Sequence, residues 1–516
     1  MTHVVVLGAG IAGVPAAYAL KSRLGPQVEV TVISDRDYFH FVPSNPWIAM
    51  GWRERADVAF PIAPFLQERG IRFVHGRVQR IQPDSIRIDL ENGEPVFYDY
   101  LLIATGAEGD FDAIPGLAER THAVLHIDQA EATYAAYKDF LRAPGPIVIG
   151  AAQGASILGP VYEYAFLVDA DLKRRNMRGR APITLVTPEP WPGHLGLGSI
   201  GANRAAVEAA LADNHIHLLC NARTLRVDAG SLLVAELGPN GKERSRYELP
   251  YAFSVYWPAF RGVAGVRAAE GLVNPQGLVE VDEYLRNRQF HNVFAAGICV
   301  AREAVDRTAP DVGAPDSVYS IQNEIGTAVY NIVASIHGET LVSHVPQRAK
   351  WLSDMGDSGA AYLAGPQVPL RDINWMRQGR WVHQAKVDFE KYFINRIRLR
   401  GSGQLSAAVS RIANVMSQAM DSRTADGAVP AAARAPGGRL DLALGRDDQF
   451  ELRALARTLG LPPDQLAADL LAAAVSDARS YLGEARVEKL ERARRELRVE
   501  ELPERQPGVA FHGGGT

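Results

Sequence analysis

The run Val4-Val5-Val6-Leu7-Gly8-Ala9-Gly10-Ile11-Ala12-Gly13 opens the chain and decides how it is read. Val4 to Leu7 is short, β-branched and apolar, as a buried parallel strand requires. Val14 to Leu20 beyond it is helix-forming. Gly8 allows the tight turn between them, Gly10 lets the backbone come up to a pyrophosphate, and Gly13 lets the helix pack close on the strand. The amides at the helix start, through Ile11 and Ala12, then face the phosphates. A second strand, Val28 to Ile33, leads to Asp35, 22 residues beyond Gly13. That is near the spacing of a carboxylate placed on a ribose 2′-hydroxyl. Turn glycines alone would need neither the flanking elements nor the acid, so a dinucleotide site is expected.

Two later segments choose FAD over NAD. Leu101 to Ile103 is an apolar strand ending in the turn Ala104-Thr105-Gly106, and Phe294-Ala295-Ala296 ends in Gly297-Ile298. In two-dinucleotide flavoproteins the first such turn closes the FAD domain and the second brings a backbone amide to the ribityl-phosphate region. A second strand–turn–helix unit starts at Pro146-Ile-Val-Ile-Gly150. Its turn lacks the G-x-G-x-x-G spacing, and Gln153 and Pro160 make a poor cradle for another pyrophosphate. A Rossmann-like fold without NAD(P)H binding is expected there.

Composition bounds the rest. At 516 residues the chain is too long for one domain, since domains run to roughly 100–200 residues. Hydrophobic residues at 47% and charged residues at 22% suit a soluble chain with large cores. Lys and Arg number 55 against 59 Asp and Glu, a net charge of −4, so the basic footprint of a nucleic-acid binder is missing. Two cysteines, Cys220 and Cys299, exclude a disulfide scaffold and a four-cysteine zinc site, and no metal site is expected. No basic leader precedes the first strand, and no stretch approaches the ~18 apolar residues of a membrane span. A cytoplasmic multidomain protein is expected.

Longer strings resemble the sulfide:quinone oxidoreductases and flavocytochrome c sulfide dehydrogenases. They are Asp37 to Trp47, Gly51-Trp-Arg53, Gln153 to Ser156 with Gly159-Pro160, Tyr162-Glu163-Tyr164, Val186 to Pro190, Gly193 to Gly198, Pro258 to Gly262, Asp354 to Asp357, and Trp381 to Arg400. The resemblance covers residues 1 to about 400. It implies an α/β flavoenzyme with two Rossmann-like domains, residues 1–112 with 290–370 binding FAD and 113–289 forming the second. It also implies that Pro43, Ser44 and Asn45 lie beside the FAD, and that electrons pass through it to a quinone.

The chain departs from that pattern where the family handles sulfur. The family's cysteines fall at Leu125, Ile157 and Trp351, none of them cysteine here. Without a thiol pair there is no disulfide for sulfide to attack, so sulfide oxidation by the family mechanism is not expected. Cys220 reads as a buried core thiol and Cys299 as a structural neighbour of the flavin. Asp316 stands where the family has a lysine near the flavin, and Gln322 where it has a glutamate. An aspartate there would oppose charge on reduced flavin, which predicts a lowered flavin potential.

Residues 371–400 read as an amphipathic helical segment. Val382, Ala385, Phe389, Phe393 and Ile397 recur at helical spacing beneath Trp375 and Trp381, with Lys386, Lys391, Arg396, Arg398 and Arg400 among them. A helix packed on the core and one lying in a membrane interface both fit, and the resemblance favours the membrane, on the inner face of the cell membrane. Residues 401–438 are rich in Ala, Arg, Gly and Pro and read as a linker. Residues 439–516 read as a small α-rich extension of ribbon-helix-helix type, suited to homodimerisation or to docking a protein partner. His194, in a Gly-rich loop, and Glu163 are candidate proton-transfer residues; ordinary hydrogen-bonded roles compete for both. The function expected is FAD-dependent transfer of electrons to a quinone from a donor other than sulfide. The alternative is a non-catalytic FAD-binding scaffold or regulatory protein acting through residues 439–516.

Overall fold

A computed structural model describes residues 1–91, 93–198, 201–344, 349–365 and 373–398. Residues 401–516, with the linker and the ribbon-helix-helix-like extension read from sequence, lie outside the described residues. Residues 1–398 form one compact unit.

The opening run is the middle strand, Thr2–Leu7, of a five-stranded parallel sheet. Val28–Ser34 lies on one side of it, with Arg72–His75 beyond. Tyr100–Ile103 lies on the other, with Val293–Ala295 beyond. Side chains alternate across a strand, and both faces are used. Val4 and Val6 join a core with Val14, Ala17 and Leu20 of the helix Gly13–Leu24. Val5 and Leu7 join another with Ile81 and Ile88 of the three-stranded meander Val78–Phe97. Burial on both faces explains why the strand is apolar throughout rather than alternating. The last strand comes from nearly 200 residues downstream of its neighbour, so a second sheet is inserted in the chain between them.

That chain holds a four-stranded parallel sheet in the order Ile216–Leu219, Ile183–Val186, Ile147–Ala151, Phe253–Trp257. The helix Gly159–Arg174 follows the turn at Gly150. Two short antiparallel strands, Ala107–Gly109 and Phe260–Gly262, join the two sheets' chains where the backbone leaves and re-enters.

The stretch read as one amphipathic helix divides. Ile373–Gly379 is the third strand of a meander with Ala349–Asp354 and Gly359–Gly365, and the helix starts only at Arg380 and runs to Arg398. Its stripe faces inward: Val382, Ala385, Phe393 and Ile397 are buried and Phe389 is half-buried. Phe393 lies 5.3 Å from Phe41 and 6.3 Å from Phe39, ring centre to ring centre. Burying each Val, Phe or Ile of this kind contributes roughly 1.5–3 kcal/mol. The stripe therefore belongs to the core and not to a membrane, a correction to the sequence reading. Lys386, counted there among the cations of the segment, is buried as well. Among the described residues no helix is long and apolar enough to cross a membrane.

Candidate flavin site

The three N-terminal glycines have different jobs. Gly8 has φ +107°, and a Cβ there would lie 2.3 Å from the Ala104 carbonyl oxygen. A Cβ on Gly13 would lie 1.8 Å from the Gly8 oxygen. These two hold loop, helix and the Ala104-Thr105-Gly106 turn in contact. A Cβ on Gly10 would meet no protein atom within 4 Å, and the same holds at Gly106, where φ is +70°. The helix beyond starts on Ala12, whose side chain caps nothing, and has no acid in its first turn. Its N-terminal amides and positive dipole end are left for an anionic ligand. Asp35 is exposed at the end of its strand, 3.7 Å from Arg77. Glycine where only a ligand could touch it, and an uncapped helix start, fit the pyrophosphate of FAD.

Pro43, Ser44 and Asn45 lie where a short 3-10 turn, Val42–Ser44, runs into the helix Asn45–Ala49. Ser44 is buried and donates to Glu390, which also accepts from Arg53 at 2.8 Å. Asn45 donates to the Val124 carbonyl at 2.8 Å, so its oxygen faces His40 and accepts from Nε2 at 2.7 Å. That assignment leaves His40 Nδ1 as an acceptor, buried and with no partner among the described residues. Burial pushes the His40 imidazole down to about 4, so it is neutral at pH 7. A buried acceptor left unpaired costs free energy, and a hydroxyl or amine of a bound dinucleotide would satisfy it.

Around Gly297 the structure adds partners that the sequence does not show. The Gly297 amide donates inward, to Glu324 at 2.8 Å, and is not free for the cofactor. Its carbonyl accepts from Arg302 at 2.9 Å. Arg302 also donates to Glu324 at 2.6 Å and to Asp316 at 2.9 Å, forming a triad in which both carboxylates are buried. Asp316 thus shares one counter-ion with Glu324, a partner that the expectation of a lowered flavin potential did not include. Burial pushes the Asp316 carboxyl up to about 6, with Arg302 pulling the other way. Cys299 is buried as read, its thiol pushed up to about 12 by desolvation. Cys220 is half-buried, more open than the core thiol expected.

The two candidate proton-transfer residues are both tied down. His194 is fully buried, accepts from the Gly196 amide at 3.2 Å on Nδ1, and meets Asp306 at 3.0 Å through Nε2. Glu163 pairs with Lys386 of the last helix. Burial pushes its carboxyl up to about 7 against the pull of that ammonium. Lys386 lies 4.9 Å and Arg53 4.5 Å from the ring centre of Trp47, whose indole donates to Asp354 at 2.8 Å. Neither Arg302 nor Lys386 was singled out from sequence. For Lys386 a signal exists: together with Glu390 it interrupts an apolar stripe, and charges on a buried face need partners.

The second turn is closed by the protein itself. Gln153 makes two hydrogen bonds to Thr224, at 3.1 and 3.2 Å. The Gly154 amide donates to the Asp311 carbonyl at 2.7 Å and the Gly313 amide to that of Ala155 at 3.0 Å. Residues 311–313 thus lie on the turn where a second pyrophosphate would sit.

Residues 2–323 match the family model described as pyridine nucleotide-disulphide oxidoreductase. The chain belongs to that family. Within it, the chain is 33% identical over 398 residues to a sulfide-quinone reductase of Aquifex aeolicus, covering 77% of this chain and 91% of that one. It is 28% identical to an NADH dehydrogenase-like protein of Mycobacterium tuberculosis, over 71% of this chain and 88% of that one. Among solved structures, the Aquifex aeolicus sulfide:quinone oxidoreductase superimposes with a TM-score of 0.75 at 32% identity, covering 80% of this chain and 95% of the other. This pyridine nucleotide-disulphide oxidoreductase is an FAD flavoprotein and an oxidoreductase, with the two-sheet α/β fold expected from its sequence.

Proposed function

We propose that the protein passes electrons through FAD to a quinone, from a donor other than free sulfide. The observation that carries the second half is what fills the sulfur-handling positions implied by the resemblance. Trp351 packs its indole against Gly159, where a Cβ would lie 3.3 Å from the ring, two residues from Ile157. An indole and a branched aliphatic stand where a thiol pair would be needed. Cys299, with its raised thiol pKa, is held by the carbonyls of Ile103 and Ala296 and makes a poor nucleophile.

Support for the quinone comes from the relatives, which are named for it. When bound, FAD supplies an acceptor that takes two electrons from the donor and yields them, with two protons, to the quinone. The chain's part is to hold its diphosphate on the Gly8–Gly13 loop and to exclude a nucleotide from the second turn. A lipid-soluble quinone implies work at a membrane surface, on the cytoplasmic side, through a face other than the buried stripe of Arg380–Arg398.

An anaerobic titration of the FAD-loaded protein tests this. Sulfide should leave the flavin band unchanged, and a short-chain quinone should restore the band of the chemically reduced protein, taking two electrons and two protons. Rapid bleaching by sulfide overturns the donor claim; a reduced flavin that quinone does not reoxidise overturns the acceptor claim. NADH should bleach the band slowly or not at all, because Asp311 already accepts from the Gly154 amide. Fast reduction by NADH would show that residues 311–313 move off the turn.

A further inference from the structure

We infer that Gln322 and Arg396 are positioning residues of the FAD site, through which docking of the helix Arg380–Arg398 and FAD binding depend on one another; this rests on the FAD reading of the Gly8–Gly13 loop. Gln322 lies on the long helix Val318–His337. Its Nε2 donates to the Ile11 carbonyl at 3.0 Å, in the middle of the glycine loop. Its oxygen accepts from Arg396 Nη1 at 3.1 Å. The orientation is forced: a guanidinium can only donate and a carbonyl only accept, so the amide must present oxygen to one and nitrogen to the other.

Two further contacts run from the same helix to the same region. The Tyr18 hydroxyl, on the helix that leaves the loop, donates to the Ile397 carbonyl at 3.0 Å. Glu390 accepts from Ser44. The helix therefore fastens the middle of the dinucleotide helix, the Ser44 turn and, through Gln322, the carbonyl of the loop at once. The Ile11 carbonyl is fixed only if Gln322 is oriented, and Arg396 orients it. Fixing the loop before the ligand arrives lowers the ordering cost of binding. By linkage, a ligand on the loop must then tighten the docked helix.

The test uses the full chain, stripped of FAD and reconstituted. Wild type should show slower amide hydrogen exchange across residues 380–398 with FAD than without. Gln322→Leu should weaken FAD binding roughly five- to tenfold, the loss of one to two hydrogen bonds. Arg396→Met should weaken it about threefold, and the double variant should be no worse than Gln322→Leu, since both act through one amide. Arg396→Lys separates positioning from mere stability. Its ammonium can still donate to the Gln322 oxygen, so FAD binding should recover towards wild type where Arg396→Met does not. Gln322→Leu binding FAD as well as wild type, additive single effects, Arg396→Lys binding no better than Arg396→Met, or exchange in the helix unchanged by FAD would each overturn the inference. Wild type that takes up no FAD would overturn the cofactor reading on which it stands.

Discussion

Arg302→Met is expected to cost roughly 3–5 kcal/mol of stability, the usual loss when a buried ion pair keeps its charges on one side only. Arg302 is the cation held between Asp316 and Glu324, and both carboxylates are buried. Taking it away leaves two like charges facing each other out of water, and frees the Gly297 carbonyl of its donor. The pH dependence has a definite sign. Burial already holds the Asp316 carboxyl up at about 6, above its unfolded value. A group with a raised carboxyl pKa favours the fold most at low pH, and that contribution is lost as pH rises through the folded value. Without Arg302 the value must rise further, because the opposing attraction has gone. The variant's deficit should therefore be largest above pH 7 and shrink as the pH falls towards 5. Asp316→Asn should be mild, under about 1.5 kcal/mol, since Glu324 still pairs with Arg302. Thermal midpoints of the three proteins across pH 5–8 check this. A deficit for Arg302→Met no larger than for an exposed arginine, or one that grows on acidification, would sink the triad as a stabilising unit.

Gly10→Ala and Gly13→Ala should fail in opposite ways. At Gly13 the added methyl would lie 1.8 Å from the Gly8 oxygen, so the first helix must part from its strand. That variant should be destabilised by several kcal/mol whether or not FAD is present, as overpacking in a tight site is. At Gly10 the methyl would meet no protein atom within 4 Å, and the residue is not in the left-handed region. The apo protein should keep its thermal midpoint within about 1 °C, since alanine there strains nothing and slightly favours the folded chain. FAD binding should nonetheless drop by about two orders of magnitude, because the methyl occupies the approach to the pyrophosphate. Apo midpoints and FAD titrations of both variants decide the matter. A Gly10→Ala protein that binds FAD normally would mean that the diphosphate does not lie on this loop.

The flavin half was legible because its chemistry is local. Glycines at 8, 10 and 13 between an apolar strand and a helix carry their own geometry, and the structure assigns each the contact or the openness that spacing implies. The departure of the Gly150 turn from dinucleotide spacing was legible for the same reason: Gln153 and Pro160 stand within one loop. What occupies that turn was not, since Asp311 comes from about 160 residues away.

Charge was the poorest guide. Asp316 read alone is a negative charge beside the flavin; folded, it is one side of a triad whose cation is 14 residues earlier and whose second acid, Glu324, is on the helix that follows. The last helix shows the same limit. A stripe of Val382, Ala385, Phe393 and Ile397 states that one face is apolar, and periodicity cannot say whether lipid or protein covers it. Phe39 and Phe41, some 350 residues upstream, settle that here. Local spacing thus specified the strands, the dinucleotide loop and the absence of a thiol pair, because backbone geometry and residue chemistry act over a few residues. The partners of Asp316, Glu163, Gln322 and the aromatic stripe came from packing alone, because a buried charge or apolar face is satisfied by whichever distant segment the fold brings to it.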